Sequence, residues 1–302
     1  MKHLLSIEAM DTASIKTILE NATVIKTQRG DSQHQPLVGQ TWAMIFTKSS
    51  TRTRVSFETG IRELGGGVMF LNANDLQLGR GEPIQDTARV LGRMVHGAVI
   101  RTFAQSDVED FAQWSGIPTI NALTDAEHPC QIITDIFTYQ EQRGPIAGKV
   151  VTFIGDGACN VPISWIWAAG KLDFELRIAA PKAHQPCPDL IANAINGSGG
   201  NISVTEDCQA AAEGADLLYT DVWVSMGMEE EAAQRERDFA GYQINEALVA
   251  LANEDALVMH CLPAYRGKEI DEPTLEAHAD TIFTQAENRL HAQKAILNWL
   301  VS

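Results

Sequence analysis

The sequence predicts an α/β protein of two domains, each built on a parallel sheet. Short apolar runs typical of buried strands alternate with helical patterns along the whole chain. The alternation continues on both sides of a junction near residue 143, where Gly144, Pro145 and Gly148 interrupt the pattern. A chain of 302 residues is also long for a single core. We therefore expect domains at residues 1–143 and 144–286, with a closing helix over 287–302 that packs back on the first.

Composition and charge exclude several classes of function. A net charge of -16 argues against nonspecific binding to nucleic acid or to an anionic membrane. No apolar run approaches the ~20 residues of a membrane span. The five cysteines are scattered and odd in number, which is typical of a reducing compartment, and the N-terminus does not resemble a signal peptide. We expect a cytoplasmic protein without a membrane partner.

The predicted elements of the first half begin with a helix capped by Asp11. Its apolar face has five members: Ile15, Ile18, Leu19, Ala22 and Ile25. Strands are predicted over residues 42–46, 68–71, 98–101 and 119–122, with helical segments between them, one of which opens at Pro83.

The predicted elements of the second half follow the same alternation. Strands are expected over residues 149–154, 175–180, 202–205, 217–219 and 256–259, before the closing helix. In both halves, polar residues of interest come directly after strands. Because ligands bind at the carboxyl ends of parallel strands, two facing domains would form an active site in the cleft between them.

A dense group of hydroxyls and guanidinium groups follows the first strand: Ser49, Ser50, Thr51, Arg52, Thr53 and Arg54. An apolar helical pattern begins at Val55, so the group lies where a strand gives way to a helix. Free backbone N–H groups and the helix dipole favour an anion there, and arginine forks suit phosphate oxygens. A capped helix with surface arginines is the simpler explanation. Because the group is denser than capping requires, we interpret it as a phosphate site.

Two other polar groups of the first half admit more than one interpretation. Arg101 ends a strand and is either a surface residue or a second anion ligand. The run from His128 to Gln131 suits a helix N-terminus, with Pro129 in the first turn. Its imidazole and amide could instead polarise a carbonyl group.

Glycines after a strand of the second half suggest a dinucleotide site, but the pattern is incomplete. In Gly155-Asp156-Gly157-Ala158-Cys159-Asn160 the third glycine is replaced by Asn160, and Asp156 would face the pyrophosphate. Further along, Asp221 ends a strand region and suits a cationic or amine ligand. Cys261 in His260-Cys261-Leu262-Pro263 is a candidate nucleophile, a ligand contact or a buried structural cysteine.

Together, four motifs resemble those of the aspartate/ornithine carbamoyltransferases. They are Ser50 to Arg54, His128-Pro129-Cys130-Gln131, Asp221 to Gly227 and His260-Cys261-Leu262-Pro263. Ser225-Met226-Gly227 and the His-Cys-Leu-Pro run are similar to those of the ornithine-specific members. The resemblance implies two Rossmann-like domains in a homotrimer, the first binding carbamoyl phosphate and the second ornithine. It implies carbamoyl transfer to the δ-amino group of ornithine without a cofactor or metal, giving citrulline and phosphate in arginine biosynthesis.

The resemblance also implies roles for individual residues. Carbamoyl phosphate would be bound by Ser50, Thr51, Arg52, Thr53, Arg101, His128, Gln131, Cys261, Leu262 and Arg289, with Gln77 reaching into a neighbouring subunit's site. Ornithine would contact Asn160, Asp221, Ser225 and Met226. The catalytic residues would be Arg101 and His128, which polarise the carbonyl, and Asp221 with Cys261, which accept the amine proton.

Three positions depart from the usual pattern of the family: Pro83, Cys159 and Tyr265. They concern the second substrate and a mobile loop rather than the carbamoyl-phosphate half. The alternatives are a carbamoyltransferase acting on putrescine or an acylated ornithine, a dinucleotide-dependent oxidoreductase, and a non-catalytic paralogue that binds carbamoyl phosphate.

Overall fold

A computed structural model describes residues 1–30, 34–72, 81–196, 200–225 and 227–302. The chain divides into two compact units. Unit 1 is Met1–Phe137 with Asn288–Ser302, and unit 2 is Thr138–Glu287. Each unit has its own parallel sheet, of four strands in unit 1 and five in unit 2. The predicted class, two α/β domains with parallel sheets, is confirmed.

The strands of unit 1 are β1 Thr41–Phe46, β2 Gly67–Asn72, β3 Gly97–Arg101 and β4 Thr119–Leu123. Its helices are α1 Thr12–Thr27, α2 Thr51–Glu63, α3 Ile84–Leu91, α4 Gln105–Ser115 and the first part of α5 Pro129–Arg143. The sheet order is β2-β1-β3-β4, so the most apolar runs are central and an exposed run forms one edge. Central parallel strands are covered on both faces, which explains their unbroken apolar sequence.

The strands of unit 2 are β5 Val150–Ile154, β6 Glu175–Ala179, β7 Asn201–Thr205, β8 Leu217–Thr220 and β9 Leu257–His260, in the order β7-β6-β5-β8-β9. The helices that follow α5 are α6 Asn160–Leu172, α7 Pro188–Ile195, α8 Cys208–Ala212, α9 Ala232–Asp238, α10 Glu246–Val249, α11 Glu272–Ala277 and α12 Ala279–Val301. The last part of α12, from Asn288, belongs to unit 1.

Local sequence explains where several elements begin. Asp11 caps α1 by accepting a hydrogen bond from the backbone N–H of Ser14, and the five predicted apolar residues of α1 are all buried. Gly97 opens β3 beside Trp42, and a Cβ at Gly97 would lie only 2.5 Å from the indole ring. The closing helix begins at Ala279, earlier than predicted, with Asp280 in its first turn. No helix in the described part of the chain has the length and apolarity needed to cross a membrane.

Candidate active site

The predicted phosphate turn is the first turn of α2. Ser50 is the N-cap residue, and its Oγ accepts a hydrogen bond of 3.3 Å from the backbone N–H of Thr53. Thr51, Arg52 and Thr53 are therefore the first residues of the helix, where backbone N–H groups have no partner within the helix and can bind an anion. The N–H of Thr53 is already bonded to Ser50. No acidic residue lies in this turn, so the positive end of the helix dipole is not neutralised there.

A buried chain of hydrogen bonds joins three of the predicted ligands. Arg289 donates from Nη2 to Thr53 Oγ1 at 3.0 Å and from Nη1 to Gln131 Oε1 at 2.5 Å. Gln131 in turn donates from Nε2 to Asp135 Oδ1 at 2.7 Å. Arg289 is only 3% exposed. Residues from α2, α5 and α12 are thus fixed together before any ligand is bound.

His128 lies in the same positive environment. Burial, followed by the charges of Arg289 and Arg101, holds the pKa of His128 well below its usual value. The imidazole is therefore neutral at physiological pH and can donate one N–H to a carbonyl oxygen. Arg101 ends β3 opposite Phe46 of β1, and its backbone carbonyl accepts a hydrogen bond of 2.9 Å from Thr47 N–H, which ties it to the turn before α2.

The two arginines of the phosphate motif lie on different sides of α2. Positions two residues apart on a helix point in different directions, and Arg54 stacks on Phe70 at 3.7 Å instead. Arg54 lines a pocket of about 400 Å³ together with Ser50, Thr51 and Lys48. Sequence reasoning missed Lys48, a buried lysine that forms an ion pair with Asp125. Its only sequence signal was a cation between an apolar strand and a hydroxyl-rich turn.

The register of the sheet in unit 2 places three strand ends side by side. Ile154 is opposite Thr220, and Thr220 is opposite His260. The residues that follow β8 and β9 are Asp221 and Cys261, and the Cys261 Sγ donates to Asp221 Oδ1 at 3.0 Å. The same oxygen accepts from Val222 N–H at 2.7 Å. Burial raises the pKa of Asp221, which makes its carboxylate a stronger base than an exposed aspartate.

His260 holds the backbone of the next loop rather than a ligand. Its Nδ1 accepts from Leu262 N–H at 2.8 Å, so the ring proton is on Nε2, which lies 3.1 Å from Glu269 Oε1. Leu262 has a left-handed backbone with φ 58. Ligand atoms of Asp221, His260 and Cys261 lie within 4.8 Å of one another. Because both ring nitrogens of His260 are engaged, this group offers two ligands, fewer than a protein metal site uses.

The same hydrogen bonds are relevant to the interpretation of Cys261 as a nucleophile. A nucleophilic thiolate needs a cation or a base beside it, whereas the Cys261 thiol donates to a carboxylate. His260 does not act as its base, because its ring is bonded to Leu262 and Glu269. The geometry favours the interpretation of Cys261 as a ligand-contacting thiol.

The chain matches known carbamoyltransferases over nearly its whole length. Residues 2–141 match the model of the carbamoyl-P binding domain of aspartate/ornithine carbamoyltransferase, and residues 147–300 match that of the Asp/Orn binding domain. This chain belongs to the aspartate/ornithine carbamoyltransferase family. It is 54% identical to the ornithine carbamoyltransferase of Akkermansia muciniphila over 98% of this chain and 97% of that one. The ornithine carbamoyltransferase of Sulfurovum sp. is 49% identical, with 99% of each chain covered.

Solved structures agree with this assignment. The ornithine carbamoyltransferase of Pyrococcus furiosus superposes with a TM-score of 0.93 at 43% identity, covering 99% of this chain and 97% of that one. The anabolic ornithine carbamoyltransferase of Campylobacter jejuni gives a TM-score of 0.93 at 41% identity, with 99% of each chain covered. The predicted resemblance to ornithine carbamoyltransferases is confirmed.

Among the predicted ornithine contacts of this family member, Asn160 is the first residue of α6 and Ser225 lies in the loop after β8. Gln77 and Met226 lie outside the described residues. Cys159 is the N-cap residue of α6, and burial followed by the charges of Asp156 and Asp221 raises the pKa of its thiol. The thiol stays protonated, so Cys159 adds no charge beside Asp221.

The other two departures from the family pattern are Pro83 and Tyr265. Pro83 is the N-cap residue of α3 and offers no side-chain cap. Tyr265 is half exposed, and its backbone N–H donates to Glu269 Oε1 at 2.6 Å. The ring centre of Tyr265 lies 5.3 Å from Lys268 Nζ.

The incomplete dinucleotide pattern has a structural explanation. Asp156 forms a buried ion pair with Arg235 of α9, and the same guanidinium donates from Nε to the carbonyl of Trp223 at 2.6 Å. Asp156 also accepts from Ala158 N–H at 3.0 Å. A carboxylate occupies the turn that a pyrophosphate would need, and its charge is already paired. The interpretation as a nucleotide site is therefore not favoured.

Proposed function

We propose that this protein transfers the carbamoyl group of carbamoyl phosphate to the δ-amino group of L-ornithine, giving L-citrulline and phosphate. The observation that carries the proposal is the opposite charge of the two predicted sites. In unit 1, Arg101 and Arg289 surround a neutral His128, as suits an anion. In unit 2, Asp221 is the charged group at the strand ends, as suits an amine. The names of the relatives support the same substrate pair.

We propose that unit 1 binds carbamoyl phosphate. The phosphate would be bound by backbone N–H groups at the start of α2 and by the side chains of Ser50, Thr51 and Arg52. Two further predicted ligands, Arg289 and Gln131, are held in place by their mutual hydrogen bond. Negative charge develops on the carbonyl oxygen as the amine attacks. Thr53, Arg101 and His128 would stabilise that charge, and fixed donors in a buried site do so without reorganisation.

We propose that unit 2 binds ornithine and removes its proton. A lysine-like amine has a pKa of about 10.4 in water, so the attacking amine must lose a proton in the site. Asp221, whose pKa is raised by burial, would accept it, with the Cys261 thiol fixing the orientation of the carboxylate. The neutral amine then forms the C–N bond, and the C–O bond to phosphate breaks. Phosphate leaves with the bonding pair and takes up the second proton of the attacking nitrogen, so that the ureido nitrogen of citrulline keeps one hydrogen. No metal or cofactor takes part.

A different amine is the nearest alternative, and a direct assay separates the two. Purified protein is given carbamoyl phosphate with L-ornithine, putrescine or N-acetylornithine, and each ureido product is quantified by mass spectrometry. We expect kcat/KM for ornithine to exceed the others by at least about a hundredfold, the discrimination expected when charged groups of a substrate are bound specifically. A higher value for putrescine or N-acetylornithine would contradict the proposal, and no product from any amine would indicate a non-catalytic paralogue.

We propose a cytoplasmic homotrimer in which Gln77 of one subunit completes the site of another. The family resemblance supports the assembly, and five free cysteines support a reducing compartment. Sedimentation equilibrium should give three times the chain mass of 33.0 kDa. A monomer with full activity would contradict a shared site.

A further inference from the structure

The loop that leads into His128 is tied to the N-terminal segment of the chain by one buried carboxylate. Glu127 accepts a hydrogen bond from Ile7 N–H at Oε2, at 2.7 Å, and one from Glu8 N–H at Oε1, at 3.3 Å. Glu127 is only 3% exposed. Both oxygens thus accept from successive backbone N–H groups, an arrangement that fixes the carboxylate in two directions.

The N-terminal segment is itself anchored to the sheet. Leu4 forms a parallel bridge beside β4, donating to the carbonyl of Thr119 at 3.0 Å and accepting from Asn121 N–H at 2.7 Å. The side chain of Asn121 also donates to the carbonyl of Leu5 at 2.8 Å. Because Leu4 and Ile7 are buried, this segment provides a rigid support for Glu127.

Glu127 and His128 are joined by one peptide bond, so the position of Glu127 constrains the backbone of His128. The carbonyl of Glu127 accepts from Thr124 N–H at 3.0 Å, and Glu127 N–H donates to Thr124 Oγ1 at 3.2 Å, which closes a tight turn. The carbonyl of His128 then accepts from Gln131 N–H at 3.0 Å in the first turn of α5. The backbone of His128 therefore has a helix on one side and the Glu127 anchor on the other.

We propose that Glu127 is a positioning residue, which fixes the imidazole of His128 through the backbone of Ile7 and Glu8. The inference rests on the proposed function, in which His128 contacts the carbonyl oxygen. Without the anchor, the loop moves and water reaches the ring. The pKa of His128, now held down by burial and by Arg101 and Arg289, then rises towards its usual value near 6.5.

The test compares Glu127→Ala and Glu127→Gln with a matched control, Glu8→Gln. The control removes an exposed carboxylate on the same segment but keeps its backbone donor. In Glu127→Ala we expect kcat for citrulline formation to fall about tenfold to a hundredfold, as misplaced catalytic groups do. Glu127→Gln should be intermediate, because an amide can accept only one of the two N–H groups. The inhibition constant of inorganic phosphate and the KM for ornithine should stay at the wild-type values.

A pH readout separates positioning from a general loss of structure. In Glu127→Ala, kcat/KM for carbamoyl phosphate should gain an acid limb near pH 6.5 that the wild type and Glu8→Gln lack, and NMR of histidine-labelled protein should show His128 titrating there. Wild-type kinetics and an unchanged His128 titration would overturn the inference. A loss of phosphate affinity as large as the loss of kcat would also overturn the inference. If the wild type makes no citrulline, the proposed function fails, and the NMR titration alone decides the role of Glu127.

Discussion

The two predicted substrate sites differ in the charge they present and in how they are held. In unit 1, two arginines and a neutral histidine lie in a buried network that runs through Thr53, Gln131 and Arg289. In unit 2, a partly buried aspartate is bonded to a thiol and one backbone N–H. In a protein of net charge -16, the proposed anion site is thus a local cluster of cations.

The difference suits the two roles that we propose, a phosphate site in unit 1 and a base in unit 2. A phosphate group is recognised best by fixed donors, since each donor that must first be ordered weakens binding. A base must instead change its protonation state in each turnover, and several hydrogen-bond donors to its carboxylate would lower its pKa and with it its basicity. Asp221 has few donors, and burial raises its pKa, as a base requires.

The largest effect should come from removing the base of unit 2. Asp221→Asn keeps an oxygen that accepts from Val222 N–H but cannot take up a proton. We expect kcat to fall about a hundredfold to ten-thousandfold, the usual contribution of general base catalysis. Asp255→Asn, at an exposed position of the same unit, is the control and should keep wild-type kcat. If Asp221→Asn forms citrulline at the wild-type rate, Asp221 is not the base.

The next effect concerns the network of unit 1. Arg289→Lys keeps the charge, but one ammonium group cannot reach both Thr53 and Gln131 as the guanidinium fork does. Loss of a charge-assisted bond costs about 1.5 to 3 kcal/mol, so KM for carbamoyl phosphate should rise about tenfold to a hundredfold. The KM for ornithine should not change. Arg266→Lys, an exposed arginine, controls for the chemical change. If only the KM for ornithine changed, Arg289 would act on ornithine and our assignment to carbamoyl phosphate would be wrong.

A third prediction uses the opposite pH responses of the two sites. Burial and two arginines lower the pKa of folded His128, so the unfolded chain binds more protons below pH ~6.5 and stability falls there as the pH falls. The slope contributed by His128 should approach about 1.4 kcal/mol per pH unit. His128→Asn should remove it between pH 6.5 and 5 in urea unfolding.

Asp221 should show the reverse sign. Its folded pKa is raised, so the folded protein gains stability as the pH falls through that pKa. Asp221→Asn should therefore be more stable than the wild type near pH 7, and the difference should shrink towards pH 4. Parallel pH responses of the two variants would contradict the assigned environments.

The smallest expected effects are on stability, and they concern two buried glutamines of α12. Gln293, in unit 1, is fully buried, and neither its amide N nor its O has a partner among the described residues. Gln285, in unit 2, accepts from His260 N–H at 3.0 Å. Gln293→Met should raise the free energy of unfolding by about 1 kcal/mol, because an unsatisfied polar group is removed. Gln285→Met should lower it by about 1 to 3 kcal/mol. Equal effects in urea unfolding would show that the Gln293 amide has a partner.

The sequence predicted those parts of the fold and site that depend on neighbouring residues. The apolar face of α1, the cap at Asp11 and the succession of strands along the chain follow from local patterns. The start of α12 was placed too late, because its first turns carry a mixed surface that resembles a loop.

Contacts between distant residues could not be read from local patterns. Arg289 meets Thr53 across 236 positions of the chain, and only the family resemblance suggested it. Glu127, Glu269 and Lys48 have no sequence signal for their partners, since single charged residues are usually exposed. The contact of Arg54 with Phe70 likewise had no local signal, and the phosphate role of the turn stays a prediction.

The most direct test of the account is the phosphate affinity of two variants measured side by side. Inorganic phosphate is titrated calorimetrically into the wild type, Asp221→Asn and Arg289→Lys. We predict a wild-type Kd for Asp221→Asn and a Kd about tenfold to a hundredfold higher for Arg289→Lys, because we propose that unit 1 binds the phosphate. Equal weakening in both variants, or none in Arg289→Lys, would contradict it.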